Sequence, residues 1–282
     1  MIVYVFNVGH GFCAYLRDDA GSNMLLDCGH SGAFYPTDFI RTHFGPIQRF
    51  FVLNYDEDHL SGLPHLIETA GRSPVTVLHR NRSVSLEQLI ALKLKCGPLG
   101  PGLKALAGLI GRYSVDEVPI PGTGAPAGVP MGASFQVFAN PYPVFDDTNN
   151  LSLAVFVHLP RFTILFPGDL EKAGWRALLA QPAFVGALAR TQVLVASHHG
   201  RTNGYVPEIF RVCRPDIVLI SDQPMEYESQ EHCYGDHATG LLRRDGAEVR
   251  RVITTRCDGH IAITAPPDCL YRVTTFPSRA AA

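Results

Sequence analysis

No two of the cysteines stand at the spacing of a metal knuckle. The seven, at positions 13, 28, 96, 213, 233, 257 and 269, form no CxxC and are odd in number. This excludes a disulfide framework and a Cys-rich zinc knuckle, and fits a reducing compartment. No excess of one charge is present either: 24 basic residues against 26 acidic ones leave a formal net charge of -2. No global field therefore draws the chain onto nucleic acid or an anionic membrane, and any polyanion has to be held locally. Long apolar runs are missing too. The most apolar stretch, Leu151 to Phe166, is broken by His158, Pro160 and Arg161 and falls short of the ~20 residues that span a bilayer. No internal period stands out, and the chain opens in a strand pattern, Met1 to Val8, without a basic leader. These absences predict a soluble, cytoplasmic protein with no membrane partner.

What is present is core. At 282 residues, 46% hydrophobic and 18% charged, the chain can bury a large interior, and we read residues 1–282 as one domain. Strand patterns at Ile2 to Asn7, Phe12 to Arg17, Met24 to Asp27 and Phe50 to Leu53 are followed by a helical pattern from Leu60 to Ala70 and a strand from Val75 to Leu78. Residues 83–114 turn helical, split by Gly97-Pro98-Leu99-Gly100-Pro101, and read as an insertion over one edge. Pro119 to Gly132 holds four prolines and four glycines and reads as a surface loop, because strands resume beyond it at Phe135 to Ala139, Leu151 to Leu159 and Phe162 to Phe166. Helices are expected at Leu170 to Leu179, Phe184 to Ala189, Pro207 to Cys213 and Thr239 to Arg244. Further strands are expected at Val193 to Ala196, Ile217 to Ile220, Val249 to Thr254 and His260 to Thr264. Strands in both halves with helices between them predict an α/β fold of two packed sheets with helices outside, an αββα sandwich.

Polar residues collect where apolar runs end. Phe50 to Leu53 stops in Asn54, Asp56, Asp58 and His59, and carboxylates so close repel one another unless a cation neutralises them. Asn149 and Asn150, then Asp169, then His198 and His199 stand at further strand ends, where an α/β sheet exposes its loops along one edge. Adjacent histidines on a strand end point to opposite faces, so one of His198 and His199 is free to ligate while the other supports it. Asp169 could also cap a helix, Asn149-Asn150 could be an ordinary turn, and His65, His79 and His158 read as structural.

In order, these segments resemble the metallo-β-lactamase superfamily, in particular the branch containing the hydrolase domain of ComEC-type DNA-uptake proteins. The matching segments are Phe6-Asn-Val-Gly-His-Gly-Phe12, Asp27-Cys28-Gly29, Asn54-Tyr-Asp-Glu-Asp-His59 with Ser61-Gly-Leu63, Asn149-Asn-Leu-Ser-Leu153, Gly168-Asp169 and His198-His199-Gly200. The chain departs from the family at Asn54, where the pattern has His, and at Arg201-Thr202-Asn203, where a Ser is expected. It also departs at Tyr234-Gly235-Asp236-His237, where the His falls one place late.

The resemblance implies a metallo-β-lactamase-type sandwich and two divalent-metal sites, which the chemistry of their donors makes unequal: a tight one suited to zinc or manganese and a weaker one. Asp58, His59, Asp169 and one of His198 or His199 would form the first; Asn54, Asp56 and Asn149 or Asn150 the second. Asp27 and His30 would stand behind the ligands. Asp58 would accept a proton from an activated water, and His237 or His30 would protonate the leaving group. The expected activity is phosphodiester or nucleic-acid hydrolysis on a nucleic acid or nucleotide, with both sites filled so that the cluster attracts an anion. The alternatives are hydrolysis of a neutral ester, lactone or amide, and a catalytically degenerate subunit that binds a protein partner.

Overall fold

The computed structural model describes residues 1–71, 74–112, 133–223, 229–242, 249–265 and 270–277. The Pro/Gly-rich segment 119–132, Arg243-Arg244 and Cys269 lie outside these. The strands are β1 (Ile2–Val5), β2 (Ala14–Arg17), β3 (Asn23–Leu26), β4 (Ile47–Phe51), β5 (Val75–His79), β6 (Ser134–Ala139), β7 (Leu153–His158), β8 (Thr163–Phe166), β9 (Val193–Val195), β10 (Ile217–Ile220), β11 (Leu241–Leu242), β12 (Val249–Arg250), β13 (Val252–Thr254), β14 (His260–Thr264) and β15 (Arg272–Phe276). One sheet runs β15-β14-β1-β2-β3-β4-β5, a second β13-β10-β9-β8-β7-β6, and β11 with β12 forms a small ribbon.

The sheets pack face to face because their strands alternate. Val3, Val5, Leu16, Met24 and Leu26 from one sheet meet Val155, Val157, Ile164, Phe166 and Leu219 from the other in a single buried core. The intervening residues face outward and are buried too. Tyr15, Leu25 and Phe50 lie under α1 (Pro36–Phe44), α2 (Glu57–Leu60), α3 (Leu63–Ala70), α4 (Leu86–Cys96) and α5 (Pro101–Ile110). Phe156, Leu165 and Val218 lie under α6 (Lys172–Leu179), α7 (Pro182–Leu188) and α8 (Glu231–His237). The result is the expected four-layer αββα sandwich. The helical segment 83–112 joins the outer layer rather than hanging from it, since Leu89, Leu92, Leu103, Leu106 and Leu109 share the core of that layer.

Three local expectations change. The helix expected at Thr239 to Arg244 gives way to β11, which pairs with β12. The helix α8 and the edge strand β15 carry no clear apolar period and were not anticipated. His198 and His199 do not continue a strand. They follow β9 in a tight turn with φ of 49° and 54°, so strand alternation does not set their directions. No helix among the described residues is long and apolar enough to cross a membrane.

Parallel pairing places the site. β3, β4 and β5 are parallel, as are β8, β9, β10 and β13, so their C-terminal ends gather at one edge of the sandwich, where such sheets bind ligands. A backbone bond from Leu153 N–H to the Leu53 carbonyl, 2.8 Å, ties the two sheets there.

Candidate metal centre

Asp58, His59, Asp169 and His199 meet at that edge, one ligand atom of each lying within 4.8 Å of the others. Asp58 and His59 sit on α2, just past β4; Asp169 follows β8 and His199 follows β9. Each imidazole is oriented from behind. His59 Nδ1 lies 2.6 Å from Asp27 Oδ2, while Asp27 Oδ1 accepts the Leu53 N–H at 2.6 Å. This leaves His59 Nε2 facing Asp169 Oδ2 at 3.0 Å. His199 Nδ1 donates to the Ser221 carbonyl at 2.9 Å, so its Nε2 points at Asp58 Oδ2 (3.2 Å) and Asp169 Oδ2 (3.6 Å). That Nε2 is buried and has no partner of hydrogen-bond geometry. A buried imidazole lone pair aimed between two carboxylates is the arrangement a metal ligand needs, with the outer nitrogen fixing the tautomer.

The backbone is strained to build this. Asp27 takes φ 56°, and His198 and His199 are left-handed as well, a conformation that costs about 1–3 kcal/mol per residue and persists only where the surroundings impose it. Two glycines let loops close on Asp58: a Cβ at Gly11 or Gly29 would lie 2.5 or 2.6 Å from the Asp58 carbonyl oxygen.

Charge agrees with geometry. Burial opposes ionisation of Asp58 and Asp169, yet His59 and His199 hold both carboxyls below the usual range. Burial likewise disfavours the charged imidazoles, but Asp169 and Asp58, joined at His59 by Asp27, raise His59 and His199. Asp27 itself, fully buried, is pushed up to about 6 against the pull of His59. The carboxylates that favour a proton on each imidazole would equally favour a divalent cation between them.

The other half of the loop is arranged differently. Asn54 is fully buried; its Oδ1 accepts the Asp56 N–H at 2.8 Å, and its Nδ2 faces Asn149 Oδ1 (3.2 Å) and Ser152 Oγ (3.3 Å). Asp56 Oδ1 accepts from Lys93 Nζ and Thr148 Oγ1, both at 2.7 Å. His198 Nδ1 lies 3.5 Å from Glu171 Oε1, which also accepts from Asn149 and Asn203.

No known family model matches the sequence, and no curated protein does. Solved structures do. The metallo-β-lactamase fold protein YhfI from Bacillus subtilis superposes with a TM-score of 0.52 at 11% identity, over 93% of this chain and 99% of that one. The chain has the metallo-β-lactamase fold. A variant of the CmlA β-hydroxylase, an enzyme of Streptomyces venezuelae, matches at 0.50 and 12% identity over 97% of this chain, which spans about half (54%) of CmlA. A metallo-β-lactamase fold shared with a hydroxylase leaves the reaction to be argued from the site.

Within that fold the remaining candidates stand elsewhere. Asn150 is a structural amide: its Oδ1 accepts the Glu171 and Gly174 N–H groups at the start of α6, at 3.2 and 2.8 Å, and its Nδ2 donates to Asp147. His30 bonds Ser61 Oγ and stacks on Tyr35, ring centroids 4.6 Å apart, rather than touching a ligand. His237 stacks on Phe210 at 4.1 Å and bonds the Tyr205 hydroxyl, which places it in an aromatic cluster rather than among the groups expected to protonate a leaving group. His10 takes the nearby place. Its Nε2 is 3.6 Å from Asp58 Oδ2 and 2.8 Å from an Arg201 nitrogen, and its ring lies 4.6 Å from that of His199. Burial, then the charge of His199, lower His10 to about 4, so it is a neutral imidazole accepting from Arg201. The two-glycine turn Gly9-His10-Gly11 was the signal that could have found it.

Proposed function

We propose that this protein is a metal-dependent hydrolase of phosphodiesters, working with one divalent ion, zinc or manganese, held by Asp58, His59, Asp169 and His199. The observation that carries it is the pair of oriented imidazoles whose inner nitrogens converge on two carboxylates, a mixed donor set suited to those ions. When bound, such an ion lowers the pKa of a water and polarises the scissile bond. Asp27 and the Ser221 carbonyl keep the imidazoles in place. Asp58, about a quarter exposed (26%), is the cluster's opening to solvent and the group to accept a proton. The ordered motifs shared with the ComEC-type branch favour a nucleic acid or nucleotide, and Arg201 beside His10 adds positive charge where an anion would approach.

A second reading has an observation of its own. One divalent ion would balance Asp58 and Asp169, Lys93 balances Asp56 and Arg201 offsets Asp27, and a site of so little net charge suits a neutral ester, lactone or amide. The deciding experiment is elemental analysis of protein purified without chelators, beside turnover of DNA, RNA, cyclic dinucleotides, a phosphodiester reporter and neutral esters. The expected result is about one ion per chain and metal-dependent phosphodiester cleavage that Asp58→Ala abolishes. Turnover of esters alone favours the second reading. Bound metal with no turnover favours a non-catalytic binding subunit, and equal metal in wild type and Asp58→Ala sinks the site.

A further inference from the structure

The Asn54 half of the metal loop closes on a cation that the chain itself provides. A second metal ion does not fit the donors there. Asn54 spends its carbonyl on the Asp56 N–H and its amide on Asn149 and Ser152, so none of its lone pairs is presented as His199 Nε2 is presented. Asp56 contributes one carboxylate, whose Oδ1 already receives Thr148 and Lys93, and Glu171 another, whose Oε1 already receives Asn149 and Asn203. Lys93 arrives from α4, whose Leu89 and Leu92 are anchored in the outer core. The burial of those two leucines fixes where the ammonium can reach.

Two explanations compete for this contact. A half-buried ion pair, with side chains 21% and 32% accessible, gains little once the desolvation of both charges is counted, so it is a poor structural device. The same exposure leaves it open to a ligand. An ammonium has three N–H donors, Asp56 Oδ1 takes one, and Asp58, two residues further along the loop, belongs to the metal cluster.

We infer that Lys93 is the second cation of this site, its ammonium holding Asp56 where a two-metal centre would need another ion and binding a non-bridging oxygen of an anionic substrate. The protein is then a one-metal, one-ammonium hydrolase with a specificity for anions set by Lys93. The inference rests on the proposed hydrolase reading for its substrate but not for its binding chemistry, so both are measured.

The full chain loaded with zinc or manganese is assayed for metal content and titrated with inorganic phosphate by calorimetry, as wild type, Lys93→Met and Lys93→Arg. We expect about one ion per chain in the wild type, phosphate affinity lower by ~10-fold or more in Lys93→Met, and most of it recovered in Lys93→Arg. On a phosphodiester reporter and its matching neutral phosphotriester, Lys93→Met should lose turnover of the anion selectively. Two ions per wild-type chain would overturn the inference, as would equal phosphate affinity in wild type and Lys93→Met, or equal loss on both reporters. If no phosphodiester is cleaved by any form, the hydrolase reading fails while the phosphate titration still decides the role of Lys93.

Discussion

Within six residues, Asn54 to His59, the same loop is built in two opposite ways. On the Asp58-His59 side, hydrogen bonds reach the side chains from behind, through Asp27 and the Ser221 carbonyl, and inner atoms are left facing one another. On the Asn54-Asp56 side, the Asn54 side chain is bonded to the Asp56 N–H and to Asn149, and Asp56 Oδ1 to Lys93. The difference teaches what separates a ligand from a polar residue near a ligand. Residue type matters less than which of its atoms has already been satisfied.

The comparison breaks most visibly if the first side is damaged. Asp169→Ala removes the carboxylate that both imidazoles face and should cost more than ~100-fold in metal affinity, because outer partners of ligands alone are worth about 10–100-fold; competition against a chromogenic chelator measures it. Asp27→Asn tests the outer partner itself. It keeps the volume, removes the charge behind His59, and should weaken metal binding by ~10–100-fold in the same assay. A loss under twofold would make Asp27 a backbone anchor only.

pH offers a gentler lever. His59 and His199 have pKa values raised above the ordinary 6.5. Their stabilising contribution is fully present below pH 6.5 and is lost as pH rises through the raised values. Chelated protein should therefore lose Tm as pH climbs above 6.5, while metal-loaded protein should not, since the ion takes over from the protons. Metal uptake below those raised values should release protons and tighten with pH, which calorimetry in buffers of different ionisation enthalpy would detect.

The smallest effects belong to the second side. Asn54→His restores the residue of the family pattern but breaks the bond to the Asp56 N–H in a fully buried position. It should cost about 1–3 kcal/mol of stability and add no second ion. A second equivalent of metal would show that the two sides differ by one substitution alone. Asn150→Ala should cost a similar ~1–3 kcal/mol through the start of α6, with metal affinity unchanged.

Much of this was legible in the sequence because it depends on local order. Apolar runs that end in Asp or His mark strand ends, parallel strands bring such ends together, and Asp58, His59, Asp169 and His199 all stand in that pattern. The choice between His198 and His199 was not legible, since it is made by two left-handed residues in a turn rather than by strand alternation. Asn149 and Asn150 look alike in the chain, yet one faces Asn54 and Glu171 while the other holds the backbone of α6. Lys93 and Ser221 gave no signal. Lys93 acts through a contact 37 residues away in sequence, from a helix that reads as decoration, and Ser221 lends a backbone carbonyl, which no side-chain pattern reveals.

That helix belongs to a pair with a second grip on the loop. Glu57, between Asp56 and Asp58, accepts the Gly102 N–H at the start of α5 through Oε1, 2.8 Å, while α4 sends Lys93 to Asp56. Anyone seeking a minimal version of this domain would cut at residues 83 and 112, where the chain looks dispensable. The trimmed protein would keep every candidate ligand and lose the scaffold that sets the pitch of the segment bearing two of them.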